Sequence, residues 1–324
     1  MINELTHIPV LLDEILDYLN KLQINNGIIV DATFGLGGYS KTFLEKTNCN
    51  VFAFDRDPKV KKYAQLLKNK YQTRFQFYNT NFSQIENTTQ YIDDKVNAIV
   101  FDLGVSNLQL GDPERGFSFK LNGPLDMRMS NKGIDAYDVI NNYKSEEIAN
   151  ILFSLGDEFY SKKIAREIIK ARKINPISTT TTLAELIRKA IPGRNKRIDK
   201  ATKSFQAIRM FVNDEISELK KGLIQSEKIL NFGGLLAVVS FHSKEDKIVK
   251  NFLKKCEGKT EFYSSKFFPP NLKYNSSFEI LTKKPVKPSK NEVYLNPKSR
   301  SAKLRVARRT KFSPIHDDNG LAAW

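Results

Sequence analysis

The residues best suited to chemistry lie near the start of the chain. Asp31 closes a short apolar run at 27–32 (GIIVDA) and leads into Gly35-Leu36-Gly37-Gly38. Glycine there lets the backbone turn sharply and come close to a ligand. Twenty residues after Gly35, Asp55 closes a second apolar run at 50–55 (NVFAFD). A carboxylate at that point can accept hydrogen bonds from ribose hydroxyls. Acids at two strand ends beside a glycine turn are the layout of a nucleoside cofactor site; alone, the turn is equally a tight strand-to-helix connection. Dinucleotide binding asks for a third glycine, and position 40 is Ser. With Asp31 before the turn, the pattern favours S-adenosylmethionine, which has no pyrophosphate to seat on a helix N-terminus. The rival reading is an NAD-dependent oxidoreductase, which lacks both that glycine and a well-placed catalytic histidine.

The remaining reactive residues are few. Cys49 and Cys256 are the only cysteines, and His7, His242 and His316 the only histidines. A disulfide framework, a cysteine-based zinc site and a zinc deaminase centre are therefore not expected, and no metal is. His242 follows an apolar run in SFHSKED, which would bring it to the same sheet edge as the aspartates. It could contact an RNA base there, or be purely structural.

These residues need a scaffold. The 324 residues are enough for about two domains with a sizeable core. Up to residue 103, apolar runs at 27–32, 50–55, 74–78 and 97–103 alternate with helical stretches, which predicts βαβ units and a parallel sheet covered on both faces. Residues 104–133 carry Gly, Pro, Asp and Arg without a period, a long loop of the kind that is usually functional. From 145 to 230 the pattern is helical only. Ile148, Ile151, Leu152 and Leu155 form one apolar stripe, and Phe205, Ile208, Val212, Ile216, Leu219 and Leu223 another that ends at Phe232-Gly233-Gly234. Strand signal returns at 235–241, 278–282 and 303–307. The expected architecture is an α/β sheet domain, 1–105 and 216–324, interrupted by a helical insert, 106–215. No apolar run is long enough for a membrane span, and the acidic first twenty residues do not resemble a targeting peptide, so a cytoplasmic protein is expected.

Charge points to the partner. The net charge is +16, from 52 Lys and Arg against 36 Asp and Glu. Residues 1–105 are almost neutral; residues 161–210 sum to +11, and 283–311 hold eleven basic residues against Glu292 alone. Neutralised phosphates release counterions, so a polyanion is the natural partner of such patches. A solvated surface in a Lys-rich composition is the bland alternative, against which the neutral first third weighs.

A longer set of motifs narrows this. HIPVLLDEIL at 7–16, DATFGLGGYS at 31–40, AFDRDP at 53–58, DLGVSNLQL at 102–110, ERGFSF at 114–119 and GPLDMRM at 123–129 occur in order. SFQAIRMFVNDE at 204–215, SFHSKEDKIVK at 240–250 and NPKSRSAKLRVARR at 296–309 follow. Over about residues 6–310 the chain resembles the bacterial 16S ribosomal RNA cytosine-N4 methyltransferase family. The resemblance implies a Rossmann-like methyltransferase sheet with an inserted all-helical domain and S-adenosyl-L-methionine as cofactor. Its implied substrate is a cytidine near the P site in the decoding region of 16S rRNA, within the small (30S) subunit. A non-enzymatic RNA-binding or assembly factor with a degenerate methyltransferase fold is the alternative of a different class.

The resemblance also implies site residues. Cofactor contacts map to Gly37, Gly38, Tyr39, Asp55, Phe82, Asp102 and Gln109. Phe82 would offer a face to adenine, or be a core residue. Tyr39 stands where the family usually has His, so a backbone contact survives and a polar side-chain contact does not. Ser106-Asn107-Leu108 replaces the usual Ser-Ser-Pro, and the tail from 313 to 324 has no counterpart. A cytosine amine is a poor nucleophile, so it must be aligned with the methyl donor while fixed acceptors hold its N–H groups. Asp102 is the leading acceptor, with Ser106 and Asn107 as helpers; Asp102 could instead serve the cofactor alone. Neither cysteine is placed for attack on the ring, as carbon-5 methylation would need. Arg115 and Phe117 in the long loop, Arg194, Lys196, Arg197 and Lys203 in the insert, and His242 are the expected RNA contacts. Lys162, Lys163, Arg166, Lys170, Arg172 and Lys200 would complete the insert's basic platform.

Overall fold

The structure is a computed structural model that describes residues 9–89, 96–193, 199–258 and 275–316. The chain divides into two compact units, Met1–Gly104 with Ser217–Trp324, and Val105–Ile216.

The first unit is built on one seven-stranded sheet. In chain order it contains α1 (Leu12–Lys21), β1 (Ile28–Asp31), α2 (Gly38–Lys46), β2 (Asn50–Phe54), α3 (Lys61–Tyr71), β3 (Phe75–Tyr78), α4 (Ile85–Thr89) and β4 (Val96–Asp102). The second unit holds α5 (Asn107–Gly111), α6 (Ala136–Asn142), α7 (Ser145–Gly156), α8 (Ser161–Arg172), α9 (Thr180–Ala190) and α10 (Thr202–Val212). Then α11 (Glu215–Ile229) starts at the boundary and leads into β5 (Leu230–Ser240), α12 (Ser243–Cys256), β6 (Phe278–Ile280), α13 (Lys290–Leu295) and β7 (Lys303–Arg309).

The sheet order is β3-β2-β1-β4-β5-β7-β6. The first five strands are parallel, and β7 runs antiparallel between β5 and β6. The four residues of β1 are all buried, as a strand covered on both faces requires. Ile28, Val30, Phe52, Phe54, Ile99, Phe101, Leu236 and Val238 pack with Leu219 and Leu223 of α11 and with Val249 and Phe252 of α12. From β1 the chain moves outward through β2 and β3, then returns to the other side of β1 as β4. The direction of winding reverses between β1 and β4, and ligands of open α/β sheets bind outside the carboxyl ends of the strands at such a reversal.

Two expectations are corrected here. The stripe from Phe205 to Leu223 is not one helix: α10 ends at Val212 and α11 begins at Glu215, with Asp214 in a left-handed conformation (φ 47°). Asn213 explains the break. Its amide donates to the Met127 carbonyl at 2.7 Å and its Oδ1 accepts the Met129 N–H at 2.7 Å, tying the long loop to the helix end. Phe232-Gly233-Gly234 does not stop a helix either; α11 ends at Ile229, and these residues belong to β5. They form an irregularity, since β4 pairs Val96 with Leu230 but Ala98 with Leu235. Gly233 takes φ 81° there, which a side chain would strain.

The second unit has its own core. Ile148, Leu152, Ile164, Ile168, Leu183, Ile187, Phe205 and Ile208 come from four helices, and Leu125 and Met127 of the long loop join them. That loop is therefore packed rather than loose. Among the described residues, no helix is long and apolar enough to cross a membrane.

Candidate functional site

Three carboxylates gather at the carboxyl edge of β2, β1 and β4 in the first unit. Asp31 ends β1, Asp55 follows β2 and Asp102 ends β4. Register places Asp31 beside Ala53 on one side and Val100 on the other, so the three strands finish almost level.

Asp31 is buried. Its Oδ2 accepts the Ser40 hydroxyl at 2.6 Å and its Oδ1 the Thr33 N–H at 3.2 Å. Burial raises its pKa, the Ser40 and Thr33 bonds offset part of the rise, and the result is about 6. Ser40, the departure from a three-glycine pattern, is thus the partner that makes a buried Asp31 tolerable. Thr33 does a second job: its hydroxyl accepts the Asp102 backbone N–H at 2.6 Å and ties the ends of β1 and β4 together.

Asp55 joins the two turns. Its Oδ2 accepts the Gly35 N–H and its Oδ1 the Asp57 N–H, each at 2.8 Å. Burial raises it to about 6 against the lowering by those backbone bonds. A carboxylate has about four lone-pair sites, so acceptor capacity remains for ribose hydroxyls. Asn79, just past β3, donates to the Asp55 carbonyl at 2.8 Å.

Between these acids lies the glycine turn. Gly37 precedes α2 in a left-handed conformation (φ 79°), and a Cβ there would sit 2.8 Å from the Phe34 ring. Gly38 opens α2. Tyr39 is buried, and its hydroxyl donates to the Val10 carbonyl in a short hydrogen bond. Burial, then the nearby Asp102, pushes the phenol well above its ordinary pKa, so it stays a donor. Its side chain anchors the segment before α1, and Glu292 holds the Leu11 N–H there at 2.8 Å.

Asp102 differs from its neighbours. Its Oδ1 is buried and has no hydrogen-bond partner among the described residues. Burial, reinforced by the charges of Asp31 and Glu245, raises its pKa to about 8. A buried polar atom without a partner costs roughly 1–3 kcal/mol and calls for an explanation. The atom fits a ligand that brings a donor or cation, which the described residues do not supply. Phe82 is half-buried, its ring edge-on to Phe101 at 5.3 Å and against Gly222 of α11. The ring packs in part on the core of the first unit.

His242 caps α12. Its Nε2 lies 2.9 Å from Glu245 Oε1, and Glu245 Oε2 accepts the Phe241 N–H at 2.9 Å. The ring's first task is therefore structural. Cys49 and Cys256 are buried and burial pushes both thiols up, a poor state for a nucleophile.

The fold also makes a cluster that spacing does not reveal. Glu227, Cys256 and His316 meet in the interior of the first unit. Glu227 accepts the Ile315 N–H at 2.8 Å, the Ser277 hydroxyl in a short bond, and pairs with His316 Nδ1 at 2.7 Å. Burial raises the Glu227 carboxyl, but the His316, Ile315 and Ser277 bonds outweigh it and leave it below the ordinary range. These bonds fasten residues 315–316 to α11.

In the second unit, Ser106 and Gln109 form a capping box on α5. Ser106 Oγ accepts the Gln109 N–H at 3.2 Å, and Gln109 Oε1 accepts the Ser106 N–H at 3.0 Å. Asn107 is the first residue of that helix. Arg115 is turned inward: its guanidinium donates to the Arg128 and Met129 carbonyls at 2.9 and 3.1 Å and lies 5.5 Å from the Phe117 ring. Both are buried, so the pair organises the loop and does not form an open stacking face. Lys203 is exposed, donates to the Asp157 carbonyl at 3.0 Å and lies 5.7 Å from the Phe159 ring. Phe159 is 84% exposed, an aromatic beside a cation that composition did not single out. Lys162, Lys163, Arg166 and Lys170 are exposed on α8, whereas Arg172 holds the Ile140 and Tyr143 carbonyls. Lys200 likewise donates to the Ile191 carbonyl at 2.9 Å. Arg194, Lys196, Arg197 and His7 lie outside the described residues. Four members of the basic run near the C-terminus are engaged: Lys303 and Arg305 pair with Asp246, Arg308 with Glu279, and Arg309 caps buried carbonyls.

The chain is similar to several known proteins. A curated relative from Rickettsia canadensis (strain McKiel), named Ribosomal RNA small subunit methyltransferase H, is 46% identical over 305 residues, 94% of this chain and 97% of that one. The protein of the same name from Ehrlichia ruminantium (strain Welgevonden) is 45% identical over 305 residues, 93% and 98% of the two chains. A solved putative methyltransferase from Streptococcus mutans, in complex with SAH, matches at 14% identity over 94% of this chain and 99% of that one. The TM-score of that match is 0.38. The profile of the MraW methylase family matches residues 4–310, and the chain belongs to that family.

Proposed function

We propose that the protein methylates the exocyclic N4 of a cytidine in the decoding region of 16S rRNA, near the P site, acting in the cytoplasm on the small (30S) subunit. Family membership makes it an S-adenosylmethionine-dependent methyltransferase acting on ribosomal RNA. The choice of atom rests on one observation above others, the unpartnered Oδ1 of Asp102 at the end of β4. An exocyclic amine presents N–H groups that need such an acceptor. Carbon-5 methylation would instead need a thiolate, and both thiols are buried with raised pKa values.

When bound, S-adenosylmethionine supplies an electrophilic methyl group on a sulfonium. The chain's own residues do the rest. Gly37 and Gly38 let the backbone approach the amino-acid end, Tyr39 contributes backbone and a packed wall, and Asp55 takes the ribose. Phe82, half-buried, offers its ring to the adenine. Asp102 in its ionised form accepts an amine N–H, orients the nitrogen lone pair and stabilises the positive charge that builds on it. Ser106, Asn107 and Gln109 follow Asp102 in the chain; Ser106 and Asn107 are candidates for a second acceptor and Gln109 for a cofactor contact. RNA is held by the basic surface of the second unit, where Lys203 and Phe159 pair a cation with an open ring and α8 presents four cations. Arg194, Lys196 and Arg197 belong to the same proposal.

The test is methylation of 30S subunits lacking the modification, followed by digestion to nucleosides and mass spectrometry. N4-methylcytidine at a decoding-region position is the expected product. 5-Methylcytidine would refute the chemistry. RNA binding without any methyl transfer would favour a degenerate, non-enzymatic factor.

A further inference from the structure

Asp31, Asp55 and Asp102 bring three carboxyl groups to one sheet edge, and none of them is paired with a Lys, Arg or His of the described residues. Asp31 is satisfied by Ser40 and Thr33, and Asp55 by the Gly35 and Asp57 amides. Asp102 alone keeps a buried oxygen with no partner. Among the described residues the groups that face it are Asp31 at the end of β1, the Thr33 hydroxyl beyond it, the protonated Tyr39 on α2, and Glu245 beside His242 on α12. An orphaned acid among other acids has two stable conditions. It holds a proton, or it faces a cation brought from outside.

We propose that Asp102 reads the charge of the bound sulfur compound: it holds a proton when the site is empty or filled by the neutral thioether product, and gives that proton up when the sulfonium cofactor binds. This rests on the reading of the site as an S-adenosylmethionine site. Methyl transfer erases the sulfonium charge, so the same carboxylate that welcomes the cofactor loses its counter-ion when the product forms. Asp102 then recovers a proton and the product is held less tightly than the cofactor. The exchange balances: one proton leaves the carboxyl for solvent on cofactor binding, and one returns from solvent when the charge is gone.

The pKa of about 8 sets the scale. Below that pH the cofactor must displace a proton, so its dissociation constant should change by about tenfold per pH unit and level off above. The α-ammonium and carboxylate groups are common to cofactor and product. The ratio of the two dissociation constants therefore isolates the sulfur charge. Between pH 7 and pH 9 that ratio, product over cofactor, should rise about tenfold.

The experiment is isothermal titration calorimetry of the full chain with S-adenosylmethionine and separately with S-adenosylhomocysteine, at pH 6.5 to 9 and in buffers of different ionisation enthalpy. Expected at pH 7 is release of close to one more proton with the cofactor than with the product. Asp102→Asn should remove that difference and flatten the ratio against pH, with a folded circular dichroism spectrum retained. Glu245→Gln keeps Asp102 but removes a neighbouring charge, so it should move the midpoint to lower pH without abolishing it. Equal proton release for both ligands, or a pH-dependent ratio that survives Asp102→Asn, overturns the inference while leaving the cofactor site intact. Failure of either ligand to bind overturns the site as well.

Discussion

Asp55 offers the sharpest test of the site, because the structure gives it two tasks that different substitutions separate. The carboxylate joins the glycine turn to the turn after β2 through the Gly35 and Asp57 amides at 2.8 Å, and is expected to accept from the ribose. Asp55→Ala removes all of these. Leaving buried N–H donors unpaired costs about 1–3 kcal/mol each, so a stability loss of ~2–4 kcal/mol is expected. Losing charged acceptors of the ribose should weaken the cofactor by a further ~1.5–3 kcal/mol, about ten- to a hundredfold. Asp55→Asn keeps one carbonyl oxygen and one of the two amide bonds, so it should recover much of the stability and less of the affinity. Its pKa of about 6 means Asp55 is mostly charged at pH 7, where the comparison should be made. Urea unfolding and calorimetric titration of both variants read the two quantities separately. The reasoning is refuted if Asp55→Ala binds S-adenosylmethionine as tightly as the parent, or if Asp55→Asn restores affinity fully.

Other outcomes follow from the same geometry. Asp102→Asn should slow single-turnover methylation at saturating cofactor by about 10²–10³, the scale of one preorganised electrostatic group; a near-parental rate would shift attention to Ser106 and Asn107. The same substitution should stabilise the cofactor-free protein relative to the parent, increasingly as pH rises to about 8. The raised pKa of Asp102 makes its protonated form the one folding favours, so its contribution is whole below the ordinary Asp value of 3.8, falls as pH rises through the folded value of about 8 and levels off above it; an Asp102→Asn melt at pH 8–9 no higher than the parent's refutes it. Reversing Lys162, Lys163, Arg166 and Lys170 together to Glu should weaken RNA binding and flatten its salt dependence, with cofactor affinity unchanged; an unchanged salt slope would move the RNA surface elsewhere. Glu227→Gln breaks a buried pair with His316 and should cost ~3–5 kcal/mol in urea unfolding. Because the Glu227 pKa is lowered, its contribution is complete above the ordinary Glu value of 4.5 and lost as pH falls through the lower folded value.

Much of the sheet was legible because parallel strands leave a strong mark. Runs such as IIVD and NVFAF are apolar almost without interruption, and only a strand buried on both faces needs that. The glycine turn, Asp31 and Asp55 were legible for a related reason: they sit where strands end, and a charge closing an apolar run is conspicuous; Asp102 came from the family resemblance. The misread places are those where one residue serves a distant part of the chain. The apolar spacing from Phe205 to Leu223 is consistent with one helix. What interrupts it is Asn213, held by Met127 and Met129 of the loop more than eighty positions earlier. No periodicity carries that information.

The same limit explains the acids and the basic residues. Ser40 is a mismatch when compared with a glycine pattern, and a partner once Asp31 is known to lie 2.6 Å away. Thr33 had no signal at all, since a threonine after a strand is ordinary until its hydroxyl is found on the Asp102 amide. Basic residues mislead in the opposite direction. Net charge counts Arg115, Arg172 and Arg309 as possible phosphate contacts, yet each spends its guanidinium on buried carbonyls. An arginine fits that task because its planar fork satisfies several carbonyl oxygens at once, where a lysine offers a single point of charge. The electrostatic footprint of the chain is therefore smaller than its composition suggests and richer in lysine. A lysine-rich face releases counterions as an arginine-rich one does, but grips phosphates without bidentate geometry. Such a surface supplies affinity and salt dependence towards a polyanion, and carries no readout of base identity by itself.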